Sequence, residues 1–116
     1  MLYESIYKRI LLKINLSKND LLELKRMLNV KNTCSGPFIE KNKMCPVTNA
    51  LALKNNIDIF KSKDKVHKQL KKYNINKLEL YLFYLFFDLP TIFSRNLFKK
   101  GLNNLKEVVN GLAKNE

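Results

Sequence analysis

Two cysteines, one histidine and a crowd of lysines are the side chains through which this chain could act. Cys34 and Cys45 lie within the stretch TCSGPFIEKNKMCP, Thr33 to Pro46, which also holds two of the three prolines and one of the three glycines. Four roles fit such a loop: a metal clip, a disulfide, a reactive thiol, or a plain hinge between helical halves. Structural zinc takes four ligands, commonly as two closely spaced pairs. Here ten residues separate the cysteines and His67 is the sole histidine, so zinc would need a carboxylate or a second chain. No metal and no cofactor is expected. A disulfide belongs to oxidising compartments. If a small hairpin turns at Lys41 and Asn42, Phe38 faces Cys45. Cys34 then lies too far along the strand to bridge without loop rearrangement.

Cys45 is the sharper candidate. Pro46 suits the first turn of a helix, where its missing N–H costs nothing. That makes Cys45 the N-cap, and unpaired N–H groups with the positive end of the helix dipole favour a thiolate there. Lys41 and Lys43 stand close by in sequence. The simpler account makes both cysteines small buried hydrophobes, a common fate of free Cys. His67 sits in a lysine-rich segment beside Val66 and Leu70, with no Ser, Asp or Cys at a spacing that marks a triad. Gly36, Gly101 and Gly111 stand alone, so no phosphate-cradling loop is present. No catalytic residue is expected, and an enzyme or redox sensor built on Cys45 ranks behind the binding functions.

The lysines point elsewhere. The formal net charge is +12, from 22 Lys+Arg against 10 Asp+Glu. Nineteen of the basic residues are Lys and 15 further residues are Asn, a bias that an AT-rich genome produces by itself. It does not account for the scarcity of acids, which predicts attraction to RNA, DNA, an acidic protein face or an anionic membrane. Between Lys61 and Lys77 there are seven lysines and one acid, Asp64. On a helix Lys61, Lys65, Lys68 and Lys72 share one stripe, while Val66, Leu70 and Tyr73 share another. Such a row can follow a phosphate backbone, each contact releasing a counterion. Lys77 extends it, and Arg95, Lys99 and Lys100 offer a second patch. A solvated lysine face with no ligand is the bland alternative. The helix–turn–helix outline in DKVHKQLKKYNINKLELYLFYL is rejected, because the would-be recognition helix is nearly all Leu, Tyr and Phe.

These residues must be positioned by helices. Glycine and proline are sparse, three each, which favours a few long helices over many short strands. Tyr3, Ile6, Tyr7, Ile10, Leu11 and Ile14 recur with helical period. Ser17 and Asp20 then resemble a capping box before a second helix over 18–29, antiparallel to the first. The loop over 30–45 leads to a short helix from Pro46, an irregular connector, and a helix capped by Ser62. KLELYLFYLFFDL is apolar on every side and predicts a helix buried all round, ended by Leu89–Pro90. In the last helix Phe98, Leu102, Leu105, Val109 and Leu112 form a heptad-like stripe. Gly101 weakens that helix by about 1 kcal/mol relative to Ala.

The expected architecture is an all-α single domain, 1–116, of five to six helices: a helix pair over 2–29, a loop over 30–45 and a helical core over 46–114. The longest apolar run, Leu80 to Phe87, has eight residues, whereas a membrane span needs about 20. No export signal is visible before Ile14, which suggests a reducing cytoplasmic setting. Two functions follow. The first is a non-enzymatic basic protein that associates with nucleic acid or a nucleoprotein assembly through the lysines. The second is a protein–protein module, with a partner chain or a second copy meeting Phe98, Leu102, Leu105 and Val109 or the loop around Phe38.

Overall fold

Five helices begin where a side chain meets the backbone N–H three residues ahead: Ser17 takes that of Asp20, Cys45 that of Thr48, Ser62 that of Lys65, Asn76 that of Glu79 and Ser94 that of Leu97. The computed structural model describes residues 2–91 and 93–115, the side chain of Thr91 excepted. Its helices are α1 (Leu2–Ile14), α2 (Lys18–Met27), α3 (Pro46–Lys54), α4 (Lys63–Lys72), α5 (Lys77–Thr91) and α6 (Arg95–Lys114). Three helices end on an asparagine in the left-handed region: Asn15 after α1, Asn56 after α3 and Asn74 after α4, with φ of 59°, 56° and 61°. Asn tolerates that conformation better than other non-glycine residues and so closes a helix cheaply.

The expected hairpin is present. Strand β1 (Ile39–Glu40) pairs antiparallel with β2 (Lys43–Met44) across Lys41 and Asn42, and the Cys45 N–H reaches the Phe38 carbonyl at 2.8 Å. A parallel bridge between Thr33 and Met44 lays a third segment alongside.

Apart from this small sheet, the regular secondary structure among the described residues is all helical. Helix α1 packs on α5, α6 and α3, α5 on α6, and α2 on α6 and α3. Tyr7 stacks on Phe83 with centroids 5.4 Å apart, Phe83 stacks on Phe87 at 5.2 Å, and Tyr3 meets Phe87 edge-on at 5.5 Å. These rings interlock α1 and α5 at the centre of the core. The Tyr7 hydroxyl, fully buried, donates to the Pro46 carbonyl at 2.9 Å and ties in α3.

Three expectations need correction. Helix α2 does not form a hairpin with α1; beyond the turn at Asn15 it packs along α6 and α3 instead. Helix α5 continues through Pro90 to Thr91, because a proline in a last turn removes only one hydrogen bond. Most consequentially, α5 is not buried all round. Phe83 and Phe87 face inward, while Leu78 is 66% exposed, Tyr81 63% and Leu89 51%. The helix enclosed on every side is instead α3, whose residues from Pro46 to Ala52 are all buried. The two acids of α5 are instead buried. Glu79 pairs with Lys13 at 2.6 Å and with Arg9 at 3.7 Å. Asp88 accepts the backbone N–H of Gly36.

Candidate nucleic-acid interface and buried thiol cluster

Helix α4 is anchored by Val66 and Leu70, both buried, and packs on α3. Its remaining surface is turned outward. Lys65, Lys68 and Lys72 lie exposed on one stripe, and Lys63, Lys71 and Lys77 are exposed around them. Among the described residues none of these ammonium groups forms an ion pair with a carboxylate; the Lys72 Nζ stands 5.5 Å from the centroid of the Tyr73 ring. Lys61 is exposed but precedes the Ser62 cap, so it extends the row from the loop rather than from the helix. Arg95, Lys99 and Lys100 are exposed on α6. Helix α6 packs on α1, α2 and α5, so that patch belongs to a different face from α4.

Beside α4 the sequence reading missed a groove. It has a volume of about 720 Å³ and runs between α4, the loop at Pro37 and Phe38, and the first half of α5. Leu70, Ile75 and Leu80 form its apolar floor. Phe38, Tyr81 and Tyr84 supply aromatic walls, and His67, Lys71 and Lys77 stand among its lining residues. Phe38 holds φ of 69°, a left-handed conformation that is an outlier for a bulky residue. Its ring meets His67 edge-on at 4.9 Å and Tyr84 at 6.1 Å. No carboxylate lines the groove. The residues come from positions 37 to 84, and no local pattern in the chain joins them.

The cysteines lie behind this wall. Cys45 is the N-cap of α3, as its position before Pro46 predicts, and it is wholly buried. Its Sγ accepts the Thr48 N–H at 3.4 Å and lies 3.1 Å from the Thr48 hydroxyl and 3.0 Å from the Tyr84 hydroxyl. Lys43 does not turn toward it; the Lys43 Nζ donates to the Val30 carbonyl at 2.8 Å. Nor is Cys34 far away. The bridge at Thr33 brings the Cys34 N–H to the Met44 carbonyl at 3.2 Å, and its Sγ reaches the Phe38 carbonyl at 3.9 Å, the same oxygen that Cys45 uses.

Both thiols are free and buried. Burial first, then the nearby Cys45, pushes the Cys34 thiol up to about 12, where it stays protonated. Burial likewise holds the Tyr84 phenol well above its ordinary value, and it lifts the Asp88 carboxyl to about 6 against the Gly36 N–H. Cys34 and Tyr84 thus stay protonated, and Cys45 is sealed from solvent among internal partners. Among the described residues no three of His, Cys, Asp and Glu converge in metal-holding geometry.

The expected protein-contact stripe on α6 is corrected. Leu102, Leu105 and Val109 are core residues, and Phe98 is half-buried with its ring 6.1 Å from that of Phe87. Phe38 is buried too, with its ring contacts directed at the groove. No described helix is long and apolar enough to cross a membrane. Comparison with known proteins returns no matching family model, no similar curated protein and no similar solved structure.

Proposed function

We propose that this protein binds nucleic acid, alone or within a nucleoprotein assembly, through the lysine row of α4, and acts by binding rather than by catalysis. The supporting observation is that Lys65, Lys68 and Lys72 share an exposed stripe with no acid paired to them among the described residues, and Lys61 continues the row. Unpaired ammonium groups aligned along a rigid helix gain most when they replace the counterions of a phosphate chain. Affinity for a DNA duplex should fall steeply with salt. Reversing Lys65, Lys68 and Lys72 to Glu should weaken binding strongly and reduce the log–log salt slope by about one unit per lysine. Fluorescence anisotropy titrations over a salt series measure both. Equal affinity and slope in the triple variant would overturn this reading.

A second reading is favoured by the outer face of α5. Leu78, Leu82, Leu85 and Leu89 follow one another at steps of four, three and four, and Phe93 beyond the helix is 79% exposed. A contiguous apolar helix face of this kind marks a protein contact more often than bare surface. With the chain at +12, charge complementarity selects an acidic partner over a second copy.

A further inference from the structure

We infer that the groove between α4 and α5 receives the unpaired bases of a single strand, while the α4 lysines hold its phosphates. This deepens the proposed function and rests on it. Three features argue for it together. The rings of Phe38, Tyr81 and Tyr84 line the groove around an apolar floor, and of these Tyr81, 63% exposed, is the one most open to a stacking base. Stacking on aromatic side chains accepts every base, because every base has a π-face. Next, Lys71 and Lys77 at the groove lie beside the lysine row. Around α4 the order runs from Leu70 on the floor through His67 and Lys71, past the exposed Asp64, to Lys68 and Lys72 on the outer stripe. A strand whose backbone follows the lysines therefore has its bases directed at the aromatic walls. Finally, no carboxylate lines the groove, so nothing in it repels a phosphodiester.

Size agrees with this occupant. A volume of about 720 Å³ falls within the range of about 300–1,000 Å³ typical of sites for small organic groups. A rigid duplex keeps its bases stacked inside and cannot present them to the groove. The strand should be bound with little sequence preference, because stacking on aromatic rings does not distinguish one base from another.

The test compares a labelled oligouridylate with a duplex of equal phosphate number and with heparin, at fixed salt. The single strand should bind more tightly than the duplex. Tyr81→Ala should weaken the single strand by about ten-fold and leave duplex and heparin unchanged, and Tyr81→Phe should retain the single-strand affinity. Because Tyr81 is largely exposed, these variants should melt with the native protein, which circular dichroism checks. If single strand and duplex bind alike, or Tyr81→Ala affects every polyanion equally, the groove assignment fails while the lysine reading stands. If an acidic amphipathic helical peptide displaces the oligonucleotide and its own binding is lost in Tyr81→Ala, the groove belongs to a protein and the assignment fails. If no polyanion is bound at all, both readings fail.

Discussion

Asp88 shows what a single side chain contributes to this fold. Its carboxyl is buried and lifted from 3.8 to about 6, so the native state holds its proton more tightly than the unfolded chain does. The stabilisation linked to that proton is complete below about pH 4 and is lost as pH rises through about 6. Asp88→Asn keeps an acceptor for the Gly36 N–H and removes the titration. The variant should therefore be more stable than the native protein at pH 7, by on the order of 2 kcal/mol, with the difference shrinking toward pH 4. Urea melts at the two pH values measure this; parallel curves at both would show that the carboxyl sees water in the native state. The caps at Ser17, Cys45 and Ser62 were legible in the sequence, because a cap involves only the next three residues. The burial of Asp88 and Glu79 was not, since their partners Gly36 and Lys13 lie far away in the chain. Nor were Asn15, Asn56 and Asn74: reading asparagine as compositional bias concealed three residues that end helices.

Helix α6 carries two glycines that the sequence presents as equivalent weak points, and the packing separates them. A Cβ at Gly101 would stand 3.0 Å from Phe87 Cε1, whereas nothing lies within 4 Å of one at Gly111. Gly111→Ala should stabilise the protein by about 0.5–1 kcal/mol through helix propensity alone. Gly101→Ala must push the Phe87 ring back by a few tenths of an ångström against its stack on Phe83, and should destabilise by about 1–3 kcal/mol despite the same propensity gain. Thermal melts of the two variants should shift in opposite directions; a rise in both would mean that the ring yields freely. Helix identity was largely legible in the sequence, since period and caps act locally. The orientation of α5 was not. A segment apolar on every side carries no phase, so it cannot announce that Leu78 and Leu89 face outward. The short link at Asn15 was equally uninformative, because loop length does not say which helix α2 will meet.

Across the whole molecule a lysine-rich surface surrounds an uncharged α5 face, and the two act in opposition. At low ionic strength a net charge of +12 should keep copies apart despite the exposed leucines. Salt shortens the screening distance to about 8–10 Å near physiological strength and to about 3 Å at molar strength, so self-association should grow with added salt. Leu78→Glu with Leu89→Glu should abolish it. Sedimentation velocity across a salt series checks both, and a stable dimer at low salt would assign the face to a second copy. The all-helical plan was readable from composition because few turns were available. The groove was not, since it exists only once three distant segments have met. One contact has a consequence for how the chain is made. Tyr3 accepts a hydrogen bond at 2.7 Å from Asn104, 101 positions later, and its ring rests on Phe87. During synthesis on the ribosome α1 is made well before α6, and its apolar side stays partly uncovered until α6 has left the exit tunnel. Assembly of this core therefore waits on α6, and the nascent chain is exposed to aggregation in the interval between the two helices.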